Sequence, residues 1–201
     1  MMKIGLFFGS FNPIHIGHLV IAEYILEFSD LSEIWFVVSP QNPLKSPMDL
    51  ETDEHRLNMA YLAISENNKR LKVCDVEMTM PRPSFTIDTL KKLSELYPDV
   101  QFLLIIGSDT LSTLPLWKSY EELIANYDFW VYPRESNAYK QEFPSERFSL
   151  VDAPIIGVSS TFIRSIISKG KDALGYVPDD VWDYIERNGL YGYHGIKISN
   201  L

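Results

Sequence analysis

A single cysteine in 201 residues, Cys74, leaves no partner for an internal disulfide. Its setting in the apolar alternation "LKVCDVE" reads as a buried strand thiol rather than a nucleophile. Basic residues are outnumbered, 18 Lys and Arg against 27 Asp and Glu, for a net charge of -9. That balance excludes broad electrostatic binding to nucleic acid, which needs cations in excess to displace counterions from phosphates. Small phosphorylated ligands stay open, because a local cluster of donors can act inside an acidic protein. No run approaches the roughly 20 apolar residues of a membrane span. The opening "MMKIGLFFGSFNP" is interrupted by Gly-Ser and Asn-Pro short of signal-peptide length, so a cytoplasmic location is expected. Two nucleotide signatures are missing as well: there is no G-x-x-x-x-G-K-[ST], and no G-x-G-x-x-G follows the first apolar run. P-loop hydrolysis and dinucleotide redox chemistry both lose ground.

What is present is an ordinary globular composition, 46% hydrophobic and 22% charged. About 150 residues already bury close to 70% of their unfolded surface, so one domain over 1–201 is expected. The oligomeric state stays open, a homo-oligomer included. "KIGLFF" (3–8) reads as a strand buried on both faces, and "IHIGHLVIAEYILEF" (14–28) as an amphipathic helix. The alternation continues with strand 33–40, helix 52–66 capped by Thr52 or Asp53, strand 70–77, helix 86–98, strand 101–107, a short helix near 119–126, and strands 128–133 and 147–152. "YPRESNAYKQEFPSE" between the last two reads as a polar surface loop. Helices at 159–170 and 178–189 close a C-terminal helical part of about 159–192, with Gly170 and Gly189 as stops and an Asp cap behind Pro178. Strands alternating with helices predict an α/β, Rossmann-like fold with a mostly parallel sheet covered on both faces. Ligands of such sheets sit beyond the carboxyl ends of the strands, so the loops after strands are the candidates.

The first such loop is "GSFNPIHIGHL", 9–19. Gly9 permits close backbone approach, while Ser10 and the following main-chain N–H groups can donate to phosphate at a helix N-terminus. His15 and His18, three apart, share a helical face and can meet one phosphate chain. The bland alternative is a tight turn with two surface histidines. A zinc pair lacks support, because His55 and His194 fall in no ligand pattern with these two. After "QFLLII", Gly107 and Asp109 stand at another strand end, where a carboxylate can bind ribose hydroxyls; a plain helix cap is the alternative. "VSSTFIR" sets Ser159, Ser160 and Thr161 at a helix start with Arg164 a turn later, a second phosphate site. Together these suit nucleotidyl transfer, in which positioning and charge stabilisation outweigh any protein nucleophile. His15, His18, Arg164 and Lys45 are the candidate carriers, with Mg²⁺ on the ATP β- and γ-phosphates.

"GSFNPIHIGHL", "SFTIDTL", "FLLIIGSDTLSTLPLWKSYEEL", "VSSTFIR" and "VPDDVWDYIERNGLY", in this order along nearly the whole chain, resemble bacterial nicotinate-nucleotide adenylyltransferases. The first and fourth segments are shared across the wider HxGH nucleotidyltransferase superfamily; the second and third are more specific. The resemblance implies a Rossmann-like enzyme that joins ATP and nicotinate mononucleotide, with Mg²⁺, into nicotinic acid adenine dinucleotide for NAD biosynthesis. It implies phosphate contacts at Ser10, Phe11, His15, His18, Ser159, Ser160 and Arg164, and an adenosine side at Gly107 and Asp109. It also implies a pyridine pocket at Thr86 and Trp117, with the indole stacked on the ring. Without the resemblance, Trp117 beside Pro115 reads as a packed aromatic. Arg56 matches a basic position of the family and is a candidate for the mononucleotide phosphate, an exposed helix arginine being the alternative. Where many members carry Pro-Pro-His-Lys, this chain has "PQNPLKSP", which keeps Lys45 without the histidine and leaves that loop's role open. An aminoacyl-tRNA synthetase would share the H-I-G-H letters but would also need a K-M-S-K-S-like loop and a tRNA-binding region. The remaining alternatives are a phosphopantetheine adenylyltransferase and a non-catalytic nucleotide-sensing protein.

Overall fold

The computed structural model describes residues 2–40, 50–64, 68–134 and 146–194. The strands are β1 (Met2–Gly9), β2 (Glu33–Val38), β3 (Leu71–Cys74), β4 (Val100–Gly107), β5 (Asp128–Tyr132) and β6 (Phe148–Leu150). The helices are α1 (Ile16–Glu27), α2 (Asp53–Ala63), α3 (Thr86–Leu96), α4 (Tyr120–Asn126), α5 (Ser160–Ile167) and α6 (Asp179–Asn188). All strand pairs are parallel, and the sheet order is β3-β2-β1-β4-β5-β6. The α/β Rossmann-like architecture expected from the alternation is the one observed.

Successive side chains of a strand point to opposite faces, so burial on both faces explains the apolar runs inside β1, β2 and β4. Phe36, Leu103 and Ile105 face a core built with Ile21 and Ile25 of α1, Met59 of α2, Ile163 of α5 and Trp182 of α6. Their neighbours Trp35, Val37, Leu104 and Ile106 face the other side, under Ile87, Leu90 and Leu93 of α3 and Leu123 of α4. The chain runs from β1 outward to β3, then crosses to β4 on the far side of β1. The loops leaving β1 and β4 therefore diverge and open a crevice at their carboxyl ends.

Two local departures from the expected elements stand beside one agreement. The strand expected to reach Glu77 stops at Cys74, where its pairing with β2 ends at Val37. The chain then coils into a 3₁₀ turn, Val76–Thr79, that carries Glu77 inward. Thr52 does cap α2, accepting from the His55 N–H. At α6 Pro178 holds the cap position, and Asp179 and Asp180 lie in the first turn, where their charge favours the exposed N–H groups.

Candidate active site

The crevice has two lobes that share Phe7, Phe8, Gly9, Ser10 and Tyr132, so it is one cleft across the β1/β4 divide. The first lobe, about 450 Å³, is walled by the β1–α1 loop, Arg134 and the start of α5. Phe11 takes a left-handed φ of 45°, which costs free energy in a non-glycine residue and persists because its ring is fixed against Phe7, Phe36 and His18. A Cβ on Gly9 would fall 2.8 Å from that ring, so the glycine serves the loop's own packing. His15 is the N-cap of α1, and its backbone N–H donates to His18 Nδ1 at 3.2 Å. In the neutral ring this fixes the His18 proton on Nε2. The two imidazoles stack with centroids 3.7 Å apart.

Burial, and after it the Arg134 charge, push the His15 pKa down to about 4, so its ring is neutral near pH 7. Its Nδ1 and the Ser10 hydroxyl are buried without a hydrogen-bond partner among the described residues. Leaving a polar group so costs about 1–3 kcal/mol, and two of them in one cleft mark a place built for a polar ligand. Across the lobe Ser159 caps α5 by accepting from the Phe162 N–H, and the Ser160 hydroxyl donates to the Pro13 carbonyl at 2.9 Å. Arg164 donates to the Asn12 carbonyl at 2.8 Å. These bonds clamp the β1–α1 loop against α5, so the serines act partly as braces, beyond the role of phosphate donors expected of them.

The second lobe, about 430 Å³, contains Thr86 at the start of α3, Trp117 after the 3₁₀ turn Leu114–Leu116, and Phe85, Lys118 and Glu77. Gly107 and Asp109 line it too, and a Cβ on Gly107 would collide with Asp109 Oδ1. Asp109 lies within a 3₁₀ turn whose cap is Gly107, so it is not that turn's cap. Trp117 is half-buried, with its side chain lining the lobe and resting on the core below α3. Cys74 lies outside both lobes, and burial pushes its thiol up to about 11, as suits an inert strand cysteine.

Two residues stand differently from expectation. Arg56 is neither an exposed helix arginine nor a donor available to a mononucleotide. It is 0% exposed, and all five of its N–H groups are used inside the chain. They reach the carbonyls of Glu51, Ser10, Ser39 and Pro40 at 2.6–3.1 Å and Asp53 Oδ1 at 2.5 Å. It ties the loops after β1 and β2 to the head of α2. Arg134, by contrast, falls in a stretch whose sequence reads as a polar surface loop, yet it lines the phosphate-side lobe, with its backbone N–H on Ser108 Oγ at 3.0 Å and Nε 3.7 Å from Asp109. Its place directly after β5 is the signal that would have found it. Lys45 lies outside the described residues.

The donors that converge here are hydroxyls, imidazoles, guanidinium groups and backbone N–H groups, a set for binding anions. Comparison with known proteins agrees with it. The Cytidylyltransferase-like family model matches residues 6–166. A probable nicotinate-nucleotide adenylyltransferase of Flavobacterium johnsoniae is 47% identical over 192 residues, 94% of this chain and 99% of that protein. The chain belongs to the nicotinate-nucleotide adenylyltransferase family. A further probable member of that family, from Cytophaga hutchinsonii, is 44% identical over 94% of the chain and 98% of its own length. The nicotinic acid mononucleotide adenylyltransferase of Plasmodium falciparum complexed with NaAD superposes with a TM-score of 0.78 at 26% identity, covering 96% of this chain and 98% of that one. Among the described residues, no helix of this adenylyltransferase-family chain is long and apolar enough to cross a membrane.

Proposed function

We propose that the protein transfers the adenylyl group of ATP to nicotinate mononucleotide, yielding nicotinic acid adenine dinucleotide and pyrophosphate, as a single-domain cytoplasmic enzyme of NAD biosynthesis. The observation that carries this reading is the two-lobed cleft, with anion donors in one lobe, a flat aromatic platform in the other, and Ser10 shared between them. ATP phosphates belong with Ser10, His15, His18, Arg164 and the N-terminus of α5, and the adenosine with Gly107, Asp109 and Arg134. The pyridine ring belongs against Trp117, with Thr86 and the main-chain N–H groups at the start of α3 for its carboxylate.

In the reaction an oxygen of the acceptor's phosphate forms a bond to the α-phosphorus. The bond from that phosphorus to the α,β-bridging oxygen breaks, and the electron pair leaves with pyrophosphate. Negative charge grows on the leaving group and the α-phosphoryl oxygens, where His18 Nε2–H and the Arg164 guanidinium supply preorganised donors. A neutral His15 fits a donor role without holding a proton that the reaction must move. Among the described residues no three His, Cys, Asp or Glu side chains converge to hold a metal. Mg²⁺ brought in with ATP would supply charge neutralisation on the triphosphate that Ser10, His18 and Arg164 would hold. The planar Trp117 indole in the second lobe favours a pyridine acceptor over the flexible chain of phosphopantetheine.

The test follows the label. With ATP labelled at the α-phosphate, the label is expected in the dinucleotide product, and with ATP labelled at the γ-phosphate, in pyrophosphate. Label passing from the γ-position to the mononucleotide would make the protein a kinase and overturn the assignment.

A further inference from the structure

The second lobe holds a charge that adenylyl transfer does not use. Glu77 is 2% exposed and lines the lobe together with Thr86 and Trp117. Its Oε2 accepts from Ser84 Oγ at 2.7 Å and its Oε1 from Thr89 Oγ1 at 2.7 Å. Among the described residues it forms no ion pair with a Lys, Arg or His. Burying an unpaired carboxylate is expensive, and two neutral hydroxyls offset that cost only in part. Lys118 also lines the lobe and is exposed to solvent, its Nζ 4.8 Å from the Phe85 ring centroid and 2.7 Å from Asp88. The lobe thus has an anion inside and a cation toward solvent.

We infer that Glu77 is the counter-charge for the cationic ring nitrogen of the acceptor, which makes it a specificity-determining residue for the oxidised, pyridinium form. The inference rests on the proposed reading that the acceptor is a pyridine mononucleotide. Nicotinate joined to ribose through its ring nitrogen is a zwitterion, with a positive ring and a negative carboxylate. A buried carboxylate can favour only the ring. Reduction to the 1,4-dihydropyridine keeps the carboxylate, ribose and phosphate but removes the ring's charge, and with it the attraction to Glu77. A merely structural alternative exists, because Ser84 and Thr89 flank the Phe85–Thr86 start of α3 and Glu77 staples them together. The two roles predict different ligand dependence.

Dissociation constants are measured by calorimetry for nicotinate mononucleotide and for 1,4-dihydronicotinate mononucleotide, on the wild type, Glu77→Gln and Thr89→Val. The wild type is expected to bind the oxidised ring about tenfold more tightly than the reduced one, about 1.4 kcal/mol. Glu77→Gln keeps the side chain's shape and can still bond both hydroxyls; it should abolish that preference by weakening only the oxidised ligand. Thr89→Val breaks the staple, keeps the charge, and should keep the preference. Equal wild-type affinities would overturn the inference without any variant, as would Glu77→Gln weakening both ligands alike or Thr89→Val erasing the preference. A wild type that turns over no nicotinate mononucleotide with ATP would instead refute the underlying assignment.

Discussion

Replacing Arg56 with lysine separates a positioning role from a binding one. The guanidinium fills all its donor positions on four carbonyls and one carboxylate, from a site with no solvent exposure. A lysine keeps the charge but has a single nitrogen with three donors, which cannot span acceptors fanned around a planar fork. At least two of the five acceptors, the carbonyls at Ser10, Ser39, Pro40 and Glu51 and the Asp53 carboxylate, would lose their partner. Breaking a buried charged network of this kind costs about 3–5 kcal/mol. In a chain of this length each kcal/mol moves the midpoint by about 2–4 °C, so calorimetry should show Tm falling by roughly 10 °C. Because Ser10 belongs to both lobes, steady-state kinetics below the lowered Tm should show KM rising for ATP and for the mononucleotide together. An unchanged Tm with KM raised for the mononucleotide alone would refute the reasoning and restore Arg56 as a phosphate ligand.

Removing the stacking surface with Trp117→Ala should mainly raise KM for the mononucleotide, as aromatic stacking on a bound base contributes about 1–3 kcal/mol; an unchanged KM would assign the indole to the core. His18→Ala should lower kcat roughly 10²-fold with folding intact, the scale for losing one preorganised donor to developing charge. Near-normal turnover would remove His18 from the mechanism. His15 titrates near 4 when folded against an ordinary 6.5, so the unfolded chain binds its proton more readily. The stability this contributes is fully present above about pH 6.5 and is lost as pH falls toward 4, by an amount on the order of 3 kcal/mol. Urea melts of the wild type and His15→Gln from pH 4 to 7 should therefore converge in acid relative to neutral pH, and a constant gap would contradict the burial argument.

The sheet was legible because strands buried on both faces write uninterrupted apolar runs, and 4–8, 34–38 and 102–107 do so. The rule that directs attention to the carboxyl ends of strands picks out Gly9, Ser10, His15, His18, Gly107 and Asp109, all of which line the cleft. It stopped short at Arg134, whose strand end is followed by a polar stretch that hides it among surface residues. Arg56 was illegible for another reason. Within "TDEHRLN" it sits among charged neighbours and looks solvent-facing, whereas its acceptors at Ser10 and Ser39 lie far away in sequence and come together only through the parallel order of β1 and β2. Glu77 looked like the polar end of a strand. Only the short reach of β2 past β3 shows that the chain turns there and takes the carboxylate inside.

The most direct test of adenylyl transfer to a pyridine mononucleotide is the rate of pyrophosphate release from ATP with three acceptors: nicotinate mononucleotide, its amide analogue and phosphopantetheine. The account predicts the highest kcat/KM with nicotinate mononucleotide and none with phosphopantetheine, whereas turnover confined to phosphopantetheine would contradict it.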